Sequence, residues 1–253
     1  MVVIIIIPLI IAHRGASYYR PENTMSAFQL AYDQHADGIE TDIHLTKDQV
    51  PVLIHDKTIN RITNEHGPVN EWNFKDLKQL DIGSWFNSEF KEERIVALEE
   101  LLQWAQAKDI LINLELKIHK SSHTQMEDIV YDQVKHYNLL DRVIFSSFNS
   151  LSIKKLMEID PLTKRALLTK RHNLKLIDLS KQLKTVGIHI KHQNTNQTII
   201  NKYHHYQQYV GAYTINHPQV MRRCFRSKCD MIITDRPDLA IEKRQLYLKQ
   251  ITQ

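Results

Sequence analysis

Short apolar runs rich in Val, Ile and Leu alternate along the whole chain with longer stretches whose apolar residues recur every three or four positions. The short runs predict strands over 4–12, 37–44, 110–116 (ILINLEL), 142–147 (RVIFSS), 164–168, 185–190, 209–215 and 230–234. The longer stretches predict helices at about 24–35, 98–108, 122–137, 149–158, 174–184, 196–207 and 217–226, and a last one over 238–249. Eight strands, each followed by a helix, spell a closed parallel (β/α)8 barrel of the TIM type more naturally than an open doubly wound sheet. No GxGxxG or GxxxxGK[ST] follows any strand, which argues against a nucleotide-binding fold.

One run breaks the rhythm. VPVLIH at 50–55 reads as a strand, yet only Thr46 to Gln49 separate it from the strand before. Parallel neighbours need a crossover of about a dozen residues, so this is an antiparallel hairpin after strand two. Pro51 fits there if the return strand is an edge. Counting back from a turn near Lys47–Asp48 sets His55 beside Glu40. Residues 57–97 then interrupt the alternation with turn signals (NEHGPVN) and one short helical stretch around 74–80. They read as an inserted segment on the C-terminal face of the barrel, a lid or a pocket wall.

The 253 residues suit a single barrel domain, and 42% hydrophobic with 25% charged excludes a disordered or fibrous chain. A net charge of +4 suits a small anionic substrate but is too slight to argue for nucleic acid. Cys224 and Cys229 are not in CxxC spacing, which points to a reduced, cytoplasmic chain without a disulfide framework or zinc site. MVVIIIIPLIIA is too short to span a membrane and lacks a basic leader. Its β-branched content favours a buried strand over a signal or anchor remnant, so no stable membrane insertion is expected.

Polar groups gather where the strands of a parallel barrel end, which is where such barrels keep their active sites. Strand one ends in His13-Arg14-Gly15, strand two carries Glu40 and Asp42, the third barrel strand ends Glu115-Leu116-Lys117, and the last ends in Thr234-Asp235. Period two turns Glu40 and Asp42 to one side, with Glu115 at a matching height on the neighbouring strand. Three converging carboxylates repel one another unless a cation sits among them, and all-oxygen ligands suit Mg²⁺ or Ca²⁺. The competing reading is a structural ion-pair network with Arg14 and Lys117. His13 and His55 would flank the cation as an acid–base pair, Arg14 and Lys117 would meet a phosphate, and Asp56 would support His55. Together these describe a site for cleaving a phosphate ester. His189 and His192 in HIKH read as exposed loop residues, His204 and His205 as water-facing, and Asp48 as a turn residue. His44 shares parity with the acids but falls further along the hairpin.

AHRG (12–15), RPENT (20–24), GIETDIHLTKD (38–48), PVLIHD (51–56), LDIGSWF (80–86), LEELL (98–102), NLELK (113–117) and IITDRPD (232–238) resemble, in order, the motifs of the glycerophosphodiester phosphodiesterases. The resemblance implies a (β/α)8 barrel that hydrolyses a glycerophosphodiester to sn-glycerol 3-phosphate and an alcohol. It also implies catalytic histidines at His13 and His55, ligands to one Ca²⁺ or Mg²⁺ at Glu40, Asp42 and Glu115, and phosphate contacts from Arg14 and Lys117. Tyr213 stands where a Trp is common and can offer a flat face to the glycerol moiety. KDQ at 47–49 replaces a usual KDG, VALEE at 96–100 a usual PTLEE, and Cys229 a common Gly. Two rival readings use the same core: a phospholipase-type relative with Trp72, Phe74, Trp85 and Phe86 near the site, and a non-catalytic barrel that binds phosphodiesters. Head-group preference and oligomeric state are not legible in the sequence.

Overall fold

The computed structural model describes residues 7–118, 125–171 and 175–251. Its parallel strands are β1 (Leu9–His13), β2 (Gly38–Leu45), β4 (Leu111–Leu116), β5 (Val143–Ser147), β6 (Lys164–Thr169), β7 (Gly187–Lys191), β8 (Tyr209–Tyr213) and β9 (Met231–Thr234). They pair in that order around a ring, which closes because β1 pairs with both β2 and β9. The antiparallel β3 (Pro51–Leu53) pairs with β2 to make the expected hairpin. Eight parallel strands thus form a closed TIM barrel with one strand added.

The helices are α1 (Met25–Asp33), α2 (Phe74–Leu77), α3 (Leu98–Gln106), α4 (Met126–His136), α5 (Ser150–Ile159), α6 (Lys175–Gln182), α7 (Gln197–His205), α8 (Pro218–Arg226) and α9 (Pro237–Ile251). All nine fall within a few residues of the stretches predicted for them, α2 being the short one expected around 74–80. The starts expected for α4 and α6, at 122 and 174, lie outside the described residues. Local chemistry sets the boundaries: Thr24, Asn149 and Asn196 each accept a backbone N–H as the N-cap of the helix that follows. The helices press buried faces such as Leu98, Leu101, Leu102 and Ala105 against the outer side of the barrel.

Strand one is shorter than expected. Its first predicted residues, 4–6, lie outside the described residues, and Pro8, with no N–H to donate, precedes a ladder that begins at Leu9. The hairpin register also differs by one: Ile43 faces Leu53 and Leu45 faces Pro51. Ile54 N–H then reaches Asp42 C=O at 3.0 Å, so the return strand delivers His55 toward Asp42 rather than beside Glu40. Gln49, where the resemblance leads one to expect Gly, holds a left-handed φ of 63° at the turn.

The inserted segment builds a small core of its own from Ile59, Ile62, Val69, Leu77, Ile82 and Ile95, against Val52 and Ile54. Trp72 and Phe74 pack on that core. Lys57 of the segment lines the cavity at the C-terminal ends of the strands, and the segment's core packs against the hairpin.

Inside the barrel, Ile11, Ile144, Ala166, Met231 and Ile233 form an apolar plug. His189 lies at this level, fully buried, which corrects the expectation of an exposed loop: β7 runs to Lys191 and period two turns His189 inward. Its ring fits because residue 211 is Gly; a Cβ there would stand 2.8 Å from the imidazole. Nε2 bonds the Tyr209 hydroxyl at 2.9 Å. Burial pushes the ring's pKa down from 6.5 to about 4. The unfolded chain therefore binds the extra proton first, so stability is expected to fall as pH drops from 6.5 to 4, by about 3 kcal/mol in all. Thermal unfolding at pH 7 and pH 4.5 checks this; His189→Asn should flatten the difference, and an unchanged difference would remove His189 as its source.

Candidate active site

The C-terminal ends of the strands surround a cavity of about 540 Å³. Strand register assembles its floor. The β1–β2 pairing sets His13 beside Glu40, and the β2–β4 pairing sets Asp42 beside Glu115. Period two then carries Glu40, Asp42 and Glu115 into the same space. One oxygen from each lies within 4.8 Å of the others, and all three residues are buried.

The acids are not electrostatically equivalent. Lys117 Nζ stands 2.9 Å from Asp42 Oδ1 and 2.5 Å from Glu115 Oε1, and Arg14 Nε stands 3.2 Å from Asp42 Oδ2. Burial alone would raise the pKa of Asp42, but Lys117 and Arg14 outweigh it and hold the carboxyl well below the usual range. Burial and the neighbouring Asp42 charge push Glu115 up, and push Glu40 up to about 8. Ion pairs of the structural kind thus exist for Asp42 and Glu115. Glu40 makes none among the described residues and accepts only the Arg14 N–H, at 3.1 Å.

A divalent ion fits this set. Three hard oxygen donors converge, Glu40 makes no ion pair among the described residues, and Asp42 Oδ1 and Glu115 Oε1 have no donor aligned for a hydrogen bond despite the nearby Lys117.

Both predicted histidines line the cavity, each backed by a carboxylate. His13 Nδ1 lies 2.6 Å from Asp235 Oδ1, and His55 Nδ1 lies 2.6 Å from Asp56 Oδ1. Asp235 and Asp56 both have lowered pKa values, so they are ionised and accept; each imidazole donates from Nδ1, which leaves its Nε2 outside that bond. Burial works to lower the His13 pKa, but the Asp235 bond and the Glu40 charge raise it overall. For His55, burial together with Arg14 and Lys117 outweighs Asp42, and the pKa falls.

The turn after β1 aims Arg14. Its backbone is left-handed (φ 56°), pinned by its N–H to Glu40 C=O at 2.8 Å. Gly15 follows at φ 84°, where a Cβ would meet Ala27 at 2.6 Å. Tyr213 lines the cavity with its hydroxyl on Thr169 C=O at 2.8 Å and its ring edge-on to Phe148.

Several residues with roles here escaped the sequence reading. Asn23, another left-handed residue (φ 58°), donates to Asp42 Oδ2 at 3.2 Å and accepts from the Thr41 hydroxyl. Asn216 and Ser17 brace Asp235. His44 lines the cavity, and its Nε2 lies 3.3 Å from His55 C=O. Its parity with Glu40 and Asp42 was the available signal. His192 sits in a short 3-10 turn outside the cavity, and His204 pairs at 2.7 Å with Asp230, whose Oδ2 also accepts the Val210 N–H near the start of β8.

A barrel mouth that sets two carboxylate-backed histidines beside an acidic trio able to hold a dication is of the kind found in enzymes of phosphate-ester chemistry. The model of the glycerophosphoryl diester phosphodiesterase family matches residues 13–239, and the chain belongs to that family of phosphodiesterases. It is 34% identical over 233 residues to the glycerophosphodiester phosphodiesterase of Caldanaerobacter subterraneus subsp. tengcongensis, covering 92% of this chain and 96% of that one. It is 35% identical over 246 residues to the Bacillus altitudinis glycerophosphodiester phosphodiesterase, covering 93% and 98%. Its fold superposes with a TM-score of 0.90 on an Oleispira antarctica phosphodiesterase in complex with the product sn-glycerol-3-phosphate, at 27% identity over 94% of this chain and 97% of that one. Among the described residues no helix is long and apolar enough to cross a membrane.

Proposed function

We propose that this chain, a single catalytic barrel domain with its insertion at about 57–97, hydrolyses glycerophosphodiesters to sn-glycerol 3-phosphate and an alcohol. The observation that carries the reading is the convergence of Glu40, Asp42 and Glu115 within 4.8 Å, in a cavity that His13 and His55 also line. Glu40, Asp42 and Glu115 hold one divalent cation, Ca²⁺ or Mg²⁺. That ion supplies a Lewis acid that stabilises charge gathering on the phosphoryl oxygens.

The chain's own groups do the rest. The Arg14 guanidinium and the Lys117 ammonium attract and orient the phosphodiester anion. One imidazole takes the proton of the nucleophile at its Nε2 while the other returns a proton to the departing alkoxide. Asp235 and Asp56 keep each ring in the tautomer that makes this possible. The nucleophile is water, or the glycerol's own 2-hydroxyl, which gains from proximity and expels the alcohol to leave a cyclic phosphate that water then opens to sn-glycerol 3-phosphate. Tyr213 and Phe148 form the apolar wall for the glycerol moiety.

The test is a panel of glycerophosphodiesters with different head groups, assayed for released sn-glycerol 3-phosphate. Turnover is expected with Ca²⁺ or Mg²⁺, loss with chelator, and recovery when the ion is restored. No product from any member of the panel with either ion would overturn the reading. Binding to neutral vesicles with turnover of intact phospholipid would replace it with the phospholipase alternative.

A further inference from the structure

The contacts that begin at His55 do not end at Asp56. Arg61 Nε donates to Asp56 Oδ2 at 2.6 Å, while its Nη2 and Nη1 reach Glu22 Oε1 at 2.7 Å and Glu22 Oε2 at 3.1 Å. Glu22 Oε1 in turn accepts from Arg14 Nη1 at 3.0 Å. One guanidinium therefore joins the carboxylate behind a histidine to the carboxylate behind an arginine, and Arg61 itself does not line the cavity.

The arginine is also held. Ile59 and Ile62, on either side of it, are buried in the core of the inserted segment, and the Trp85 ring stands 5.3 Å from the guanidinium carbon. A bidentate, networked bridge of this kind contributes to stability, but stability alone does not dictate one fork joined to two separate carboxylates. Geometry does: a planar fork can set two carboxylates at fixed angles, which a point charge such as lysine cannot.

We propose that Arg61 is a positioning residue that aligns His55 through Asp56 and Arg14 through Glu22, and that the inserted segment serves the reaction by supplying it. The proposal rests on the reading that His55 and Arg14 act on the substrate. Small misplacements of a reacting group cost large factors in rate, so Arg61→Gln is expected to lower kcat about 10- to 100-fold with KM changed less than about threefold. Arg61→Lys should recover only part of the loss, because it can engage one acid at a time. In an Asp56→Asn background, where the path to His55 is already cut, adding Arg61→Gln should cost only the part carried through Glu22 and Arg14, less than it costs in the parent chain.

A crystal structure of Arg61→Gln gives a readout independent of turnover. The expected result is a His55 ring displaced from its contact with Asp56. Wild-type kcat in Arg61→Gln, a full multiplicative loss in the Asp56→Asn background, or unmoved His55 and Asp56 would each overturn the proposal. Should Arg61→Gln not fold, Arg61→Lys carries the same comparison: wild-type kcat and an unmoved ring in that variant would overturn it. A wild-type chain inactive on every glycerophosphodiester would instead sink the function reading, and the crystal structures would then decide the Arg61 claim alone.

Discussion

Replacing His13 by alanine is expected to lower turnover by about 10² to 10⁴, the usual cost of losing one partner in general acid–base catalysis. The same holds for His55→Ala. Neither change should unfold the chain. His13 is partly exposed at a strand end, and Asp235 keeps its bonds from Ser17 and Asn216 after the ring is gone. Steady-state rates on a glycerophosphodiester, with circular dichroism and a melting temperature alongside, separate a chemical loss from a folding one. A His13→Ala protein with full turnover would end the assignment. If both rings act in one proton cycle, the double variant should lose little more than either single one.

Asp42→Asn is the second large effect. Asp42 offers a buried, firmly ionised oxygen to the trio, and Asn keeps the shape while removing the charge. Activity is expected to fall at least about 10²- to 10³-fold, and calorimetric titration with Ca²⁺ or Mg²⁺ should show weakened or absent binding. Because Arg14 and Lys117 both rest on Asp42, some stability should go as well. The sign follows from the lowered pKa of Asp42: its contribution is present at neutral pH in the parent chain and is lost as pH falls. A variant that binds the dication as tightly as the parent would show that the ion lies elsewhere.

Much of this was legible along the chain because it is local. A strand or helix announces itself by the period of its apolar residues, and caps such as Thr24 mark where one begins. The carboxylates at 40 and 42 could be placed on one side of a strand from spacing alone. The barrel's closure rule then put His13, Glu40 and Glu115 at the same mouth. His44, set aside for its position along the hairpin, lines the cavity, as its parity with Glu40 and Asp42 allows.

What spacing could not supply were relations between distant segments. A one-residue shift in the hairpin changed which acid His55 approaches, since antiparallel register depends on the turn as well as on the pattern. Whether His189 faced solvent or the barrel interior depended on how far β7 continues and on the space left by Gly211. Asp235 meets His13 only when the last strand closes the ring against the first, and Arg61 meets Glu22 only when the inserted core brings it beside the segment that follows β1.

By itself, then, the chain's order of residues determined the elements, the barrel and the cast of reactive side chains, because periodicity and strand ends are short-range properties. Partnership among those side chains was decided by the tertiary structure, because register, closure and the seating of an insertion are settled by packing between parts far apart in the chain.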